Sequence, residues 1–240
     1  MSLSRKTKPR LWHPTFLINR AMVNDLRAEI ETRFSRETTK RILDVGCGGL
    51  PYKQLFAKNC AEYLGCDLFP QSEEVVRCPA DALAFQNETF DAVLSFQVLE
   101  HVRRPWKVVA ECARVLKKDG LLLLTAPFMF PHHSSPHDFF RYTHEGLAAL
   151  ADDAGLKVEK IRAQCSSLST LMLMLNWYLT RPLNWLRRSP ITAPLCWFFS
   201  FAVTAPINLL GLLFDSRLLK INFTKGNEGY CNFLILCRKT

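Results

Sequence analysis

Leu43-Asp44-Val45-Gly46-Cys47-Gly48-Gly49 is an apolar stretch that runs straight into a glycine-rich turn. Arg41–Val45 reads as a short buried strand. The small residues after it let the backbone turn sharply and approach a ligand, where a Cβ would obstruct both. A helix through Tyr52–Lys58 is expected next, so the order is strand, glycine turn, helix. That order opens a βαβ unit, although a tight turn that merely needs glycine explains the run nearly as well.

The chemistry of the turn separates two ligand classes. A dinucleotide fingerprint needs a third glycine at a fixed offset, and none stands there. Asp44 lies two residues before the first glycine, where it would repel a pyrophosphate and attract a cation such as a sulfonium with an ammonium group.

Working outward, Thr15–Arg36 reads as an amphipathic helix with Phe16, Met22, Val23, Leu26 and Ile30 on one side. Glu62–Cys66 is a strand ending at Asp67, and the next strand end is placed at Asp81, after Cys78-Pro79-Ala80. Phe90–Phe96 is a strong strand. Pro105–Leu116 follows as a helix with proline in its first turn, and Lys118-Asp119-Gly120 is its expected stop. Leu121–Ala126 is a fully apolar strand ended by Pro127. Thr143–Ala154 is a helix with Thr143 as N-cap and Gly155 as its stop. Leu156–Arg162 and Gly229–Cys237 are the final strands. Strands alternating with helices of this length predict a mostly parallel sheet covered on both faces. In such sheets ligands lie beyond the carboxyl ends of the strands. Attention therefore falls on the residues just after Val45, Cys66, Phe96 and Ala126.

Asp67, with Leu68 after it, stands at the second of these ends, twenty-three residues past Asp44. A carboxylate there can accept from both hydroxyls of a ribose, though alone it reads equally as a turn aspartate. Asp81 sits at the next strand end, where a side chain could meet an adenine amino group.

Residues 41–127 resemble the small-molecule branch of the class I S-adenosylmethionine-dependent methyltransferases. The matching pieces are LDVGCG at Leu43–Gly48, LGCD at Leu64–Asp67, ADAL at Ala80–Leu83, FDAVLSFQVLEHV at Phe90–Val102 and RVLKKDGLLLLTAP at Arg114–Pro127. The resemblance implies S-adenosylmethionine as cofactor. It also implies that Asp44, Gly46, Cys47 and Gly48 hold the methionine end, Asp67 and Leu68 the ribose, and Asp81 and Ala82 the adenine. Gln97 and Glu100 would line the cofactor edge. One position departs from the pattern, because Leu50 stands where the family's turn usually carries its third glycine.

The acceptor loop follows the apolar strand, as Pro127-Phe128-Met129-Phe130-Pro131-His132-His133-Ser134-Ser135-Pro136-His137-Asp138-Phe139-Phe140-Arg141-Tyr142-Thr143. Three of the six histidines fall within six residues. Methyl transfer to an oxygen needs alignment and the removal of one proton, for which an imidazole of pKa ~6.5 is suited. His133 is the expected base, with His137 or positioning alone as the alternatives; Asp138 could orient it, Arg141 could grip a phosphate or carboxylate, and Tyr142 is counted with the same catalytic group. A polar loop packed by its two phenylalanines is the bland alternative. No metal site is expected, since no cysteine or glutamate stands at short regular spacing around these histidines. The pattern resembles the PxHxxPxDFFRYT loop of methyltransferases associated with bacterial surface polysaccharide and glycolipid synthesis.

Two apolar runs precede the last strand. Eighteen uncharged residues separate Arg162 from Arg181, and twenty-six separate Arg188 from Asp215. The second is long enough to cross a bilayer, although Pro194 and Pro206 interrupt it. Trp177, Trp185 and Trp197 stand near the run ends, and Arg181, Arg187, Arg188, Arg217 and Lys220 bracket them. A single span would strand the last β-strand on the wrong side. The choices are a hairpin in or on the membrane, or a helical cap on the enzyme.

Charge follows the same division. Residues 1–40 carry nine Lys/Arg against four Asp/Glu, residues 41–160 thirteen against sixteen, and residues 161–225 seven against one. The core is slightly acidic, and the flanks would either favour an anionic membrane or a phosphate-bearing acceptor or form no more than a solvated face. The basic segments carry no recognised nucleic-acid-binding motif. The N-terminus lacks the apolar run of a signal peptide, and nine scattered cysteines suit a reducing compartment, so the cytoplasmic side of a membrane, or the cytoplasm, is the expected location.

The sequence therefore predicts an α/β, Rossmann-like, seven-stranded doubly wound sheet. It would carry an N-terminal helical cap (1–39), a core (40–165), an apolar helical insertion (166–225) and a final core strand (226–240). The expected activity is methyl transfer to a hydroxyl of a sugar or lipid-linked glycan. A quinone or other isoprenoid lipid is the rival acceptor, and a non-catalytic membrane partner the rival of another class.

Overall fold

The computed structural model describes residues 4–34, 40–182, 189, 192–215 and 230–240. The elements in chain order are α1 (Ser4–Thr7), α2 (Phe16–Arg33), β1 (Arg41–Val45), α3 (Lys53–Phe56), β2 (Glu62–Asp67), β3 (Val75–Arg77), β4 (Phe90–Phe96), a 3-10 turn (Leu99–His101), α4 (Pro105–Val115), β5 (Leu116–Pro127), α5 (His144–Asp153), β6 (Leu156–Gln164), α6 (Ser167–Thr180), α7 (Ala193–Asp215) and β7 (Asn232–Lys239).

The seven strands form one sheet in the order β3-β2-β1-β4-β5-β7-β6. β1 pairs in parallel with both β2 and β4, and β4 in parallel with β5. The order reverses at β1/β4, the switch point at which open α/β sheets bind ligands. β1, β4, β5 and β7 are buried on both faces, which explains why they read as continuous apolar runs.

The chain divides into two compact units. One comprises residues 1–24, 129–131 and 163–232, the other 25–128, 132–162 and 233–240. Within the second, the carboxylates of Asp25 and Glu29 on α2 pair with Arg162 and Lys160 of β6. Phe16, Met22, Val23, Leu26 and Ile30 of α2 are all buried, as their spacing predicts.

Several boundaries differ from the sequence reading. The expected helix through Tyr52–Lys58 is a single turn. Lys118-Asp119-Gly120 does not close α4. The helix ends at Val115, and these residues form an irregularity inside β5, where Asp119 takes φ +62° and the register against β4 shifts. A Cβ on Gly120 would meet the Lys117 carbonyl at 2.8 Å. Pro194 and Pro206 do not interrupt the second apolar run. Pro194 sits in the first turn of α7, where no N–H is required, and the helix continues through Pro206. The Gly229 end of the last expected strand, positions 35 and 36 of the first helix, and Trp185, Arg187, Arg188, Arg217 and Lys220 lie outside the described residues.

Candidate active site

A cavity of about 690 Å³ opens at the carboxyl ends of β1, β2 and β4. Its wall includes Gly46, Asp67, Leu68, Asp81 and Gln97. The glycine turn is shaped by its neighbours. Gly46 has φ +67°, and a Cβ there would strike the Val98 side chain at 2.5 Å. Gly48 has φ +55° with only open space where its Cβ would be, up to Gln71 at 3.9 Å. Leu50 adopts φ +55° as well. The departure from the three-glycine pattern thus leaves the left-handed backbone in place, with a leucine carrying the strain.

Asp67 fixes this turn. One carboxylate oxygen accepts from the Gly48 N–H at 2.8 Å and the other from the Phe69 N–H at 2.9 Å. Each oxygen keeps lone-pair capacity for a further donor. Asp44 is buried and accepts from the Tyr63 hydroxyl at 2.8 Å. Burial, then the charge of Asp44, pushes the Tyr63 phenol up, so it stays a donor to that carboxylate. The Cys47 thiol is likewise raised, first by burial and then by Asp44 and Asp67. Asp44, Cys47, Gly48, Ala82 and Glu100 therefore stand behind or beside the surface that Gly46, Asp67, Leu68, Asp81 and Gln97 present.

Two wall residues carry features the sequence did not disclose. Gln97 takes φ +58°, with its N–H on the Thr125 carbonyl at 3.0 Å and its amide donating to the Thr125 hydroxyl at 3.2 Å. A strained non-glycine residue at the end of a central strand is the kind of conformation that functional walls retain. Asp81 accepts from Arg104 at 2.8 Å, so an adenine amine would share this carboxylate with a guanidinium.

The acceptor loop is built around Asp138, whose side chain is fully buried. Arg141 grips it with both prongs, at 2.6 and 2.8 Å, and the His133 N–H donates to it at 2.8 Å. Arg141 first, and then the His133 N–H, hold the Asp138 carboxyl far below the usual range against its burial. The expected role of Arg141 as a grip for an acceptor anion is thereby displaced, because its fork is closed on Asp138. Tyr142 is also reassigned. Its buried hydroxyl donates to the Leu99 carbonyl at 3.1 Å, and burial raises its pKa, so it braces the loop against the 3-10 turn.

His133 lies 3.5 Å, through Nδ1, from Asp138 and packs edge-on against His101, ring centroids 4.9 Å apart. His101 is a cavity residue that the sequence reading omitted. Its Nδ1 is 2.5 Å from the His137 carbonyl, which orients Nε2 the other way. The ligand-capable atoms of Glu100, His101 and His133 all lie within 4.8 Å of one another. The adjacent Glu100-His101 pair at the end of the Phe90–Phe96 strand was the available signal. Phe139 and Arg103, stacked at 5.5 Å, close the same side of the cavity.

Comparison with known proteins agrees with this architecture. Residues 43–124 match the family described as "Methyltransferase domain". Among curated relatives, a ubiquinone biosynthesis O-methyltransferase of Cereibacter sphaeroides is 29% identical over 131 residues, covering 46% of this chain and 53% of that protein. The same-named protein of Xanthomonas oryzae pv. oryzae is 35% identical over 100 residues, 35% and 42% of the two chains. The chain spans about half the length of the curated relatives it matches. Among solved structures, the [4+2]-cyclase SpnF aligns with TM-score 0.59 at 18% identity, covering 90% of this chain and 80% of that one. Phosphoethanolamine N-methyltransferase 2 of Haemonchus contortus, in complex with S-adenosyl-L-methionine, aligns with TM-score 0.53 at 17% identity over 100% and 60%.

Residues 43–124 thus match a methyltransferase domain, and the strand order and the glycine turn agree with the fold of the class I, S-adenosylmethionine-dependent type. The cyclase among the structural neighbours shows that the fold alone does not fix the reaction, which has to be argued from the site.

Proposed function

We propose that this chain transfers the methyl group of S-adenosylmethionine to a phenolic or enolic hydroxyl of a quinone-type isoprenoid lipid. The observation that carries the acceptor class is the set of curated relatives, which act in ubiquinone biosynthesis as O-methyltransferases. The glycan acceptor expected from the loop pattern rests on that resemblance alone and is the weaker of the two.

The residues present suit the cofactor. Gly46 and Gly48 give a turn that can approach a ligand closely, and Asp67 has acceptor capacity for two ribose hydroxyls. Asp81 and Ala82 stand at the adenine side, with Leu68 and Gln97 along the wall. Asp44, Cys47 and Glu100 complete the set, Asp44 and Glu100 as buried carboxyl groups beside the wall, which in their ionised form would favour a cationic ligand. When bound, the cofactor supplies an electrophilic methyl on a sulfonium. His133 takes the proton from the acceptor hydroxyl, oriented by Asp138, while Arg141 and Tyr142 keep Asp138 and the loop in place. All nine cysteines are free thiols, in keeping with a site on the cytoplasmic side of a membrane, where such an acceptor resides.

The test is incubation of the purified protein with S-adenosylmethionine and, separately, a short-chain prenylated catechol and a lipid-linked sugar. A mass gain of one methylene on the catechol alone supports the reading, and gain on the sugar alone overturns the acceptor. A second reading is favoured by the Glu100, His101 and His133 group. A divalent cation there would polarise the acceptor oxygen and make a protein base unnecessary. Turnover that survives exhaustive chelation excludes it.

A further inference from the structure

Helices α6 and α7 are patterned inside out. The residues of α7 that face the protein, Thr204, Ala205, Asn208 and Gly211, are buried and small or polar. Its outward residues are large and apolar, with Leu195 76%, Phe198 74% and Leu209 53% exposed. α6 follows the same trend, with Ser169, Thr170, Asn176 and Thr180 buried beside a single leucine, Leu173, and Leu171, Leu175, Tyr178 and Leu179 exposed. A helix of a soluble protein shows the opposite order, apolar within and polar without.

The polar face makes several hydrogen bonds within this unit, although the Thr170 hydroxyl and the Asn176 amide oxygen are buried without a partner. Asn176 donates to Asn208 at 2.9 Å, and Asn208 donates to the Leu11 and His13 carbonyls at 2.6 and 3.0 Å. Thr204 donates to the Trp12 carbonyl at 2.9 Å, and Ser169 to the Gly211 carbonyl at 2.6 Å. A Cβ on Gly211 would meet Leu17 at 2.6 Å, so residues 11–17 lie close along α7. α7 is long and apolar enough to cross a membrane, but its inner face is committed to α6 and to the N-terminal segment. α6, with 14 residues, reaches only about 21 Å, short of the ~30 Å hydrocarbon core.

Charge selects the occupant of the outer face. The unit holding both helices carries eleven of the 31 Lys/Arg and two of the 22 Asp/Glu, so the whole formal +9 resides there and the other unit balances at twenty against twenty. Two units of this net charge repel one another at long range, whereas an anionic lipid leaflet attracts one. We infer that the outer faces of α6 and α7 lie in the plane of one anionic leaflet without crossing it. The aromatic and leucine side chains enter the acyl boundary, while the polar inner face remains in the protein. This inference does not depend on which acceptor is methylated.

The experiment uses the full chain added to preformed vesicles of phosphatidylcholine with or without one quarter phosphatidylglycerol. The protein is expected to float with the anionic vesicles and to stay bound in 1 M salt, since apolar insertion is not screened. The triple variant Leu195→Gln, Phe198→Gln, Leu209→Gln should bind at least tenfold more weakly, with unchanged S-adenosylmethionine affinity as proof of folding. A specific protease site inserted between Arg181 and Thr192 should remain cleavable from outside. Protection of that site would show a spanning hairpin and overturn the in-plane geometry. A protein that ignores vesicles and scatters light as a dimer would assign the face to self-association instead.

Discussion

Replacing Asp67 with alanine separates the proposed cofactor geometry from a merely structural turn. In the structure each carboxylate oxygen already accepts one backbone N–H, from Gly48 and from Phe69. The remaining capacity is one site per oxygen, which matches the two hydroxyls of a ribose. Hydrogen bonds to a charged acceptor contribute about 1.5–3 kcal/mol each, so the loss of two is about 3–6 kcal/mol, or roughly 10²–10⁴-fold in affinity. Asp67 is partly open to solvent, which moves the expectation to the lower end, about 10²-fold. For the same reason the two freed N–H groups find water, and the melting temperature should fall by only a few degrees. Calorimetry of S-adenosylmethionine binding at neutral pH reads the first quantity and thermal denaturation the second. A 2′,3′-dideoxy analogue supplies the internal control, because it should bind wild type and variant equally. A folded variant whose affinity stays within threefold of wild type refutes the ribose assignment. So does an analogue that suffers the same loss as the natural ligand, since the effect would then come from the turn.

His133→Ala should lower turnover by about 10²–10⁴-fold with cofactor affinity unchanged, and turnover near wild type would remove His133 as the base. Tyr142→Phe should cost about 1 kcal/mol in urea denaturation and alter turnover less than threefold, since the hydroxyl only braces the Leu99 carbonyl; a hundredfold loss of turnover would return it to the chemistry. Asp138→Asn should destabilise the protein by about 3 kcal/mol at neutral pH by breaking the pair with Arg141. The folded carboxyl is depressed, so this contribution is fully present above the unfolded pKa of ~3.9 and is lost as pH falls below it. The gap between wild type and variant should therefore narrow from pH 4 downward, and a gap constant to pH 2 would contradict the ion-pair reading.

What the sequence disclosed depended on whether the cause was local. β1 and β4 were legible to the residue because buried parallel strands are short apolar runs with sharp ends. Thr143 was legible as a cap because its hydroxyl meets the Gly146 N–H three residues on. β3, with three residues, is too short to carry a pattern, and only the position of Asp81 hinted at it. The irregularity at Lys118–Gly120 reads as a helix stop, since a bulge and a turn use the same residues. Pairings that need the folded loop were not legible. The Asp138 carboxylate could have served a histidine, an acceptor or Arg141, and only the loop path puts the guanidinium fork on it. His101 was missed because it belongs to a different segment from the other histidines, brought to His133 by the 3-10 turn after β4.

The apolar runs illustrate a different limit. Hydropathy identified them, but composition cannot say which side of a helix faces the protein. Polar residues such as Ser169, Thr170, Asn176, Thr204 and Asn208 are dispersed along the runs, where they are easily read as tolerated exceptions in an apolar helix. Placed on the helices, these five fall on one side and every one is buried. A buried asparagine without partners costs more than an apolar residue would, so such a stripe is stable only where its hydrogen bonds are made internally. Asn176 and Asn208 make theirs to each other and to the carbonyls of residues 11–13. That leaves Leu195, Phe198 and Leu209 on the outer side, more than half exposed. The same residues that would ordinarily build a core here build a surface, and a surface of that composition, on the unit that holds all the net positive charge, is suited to anionic lipid.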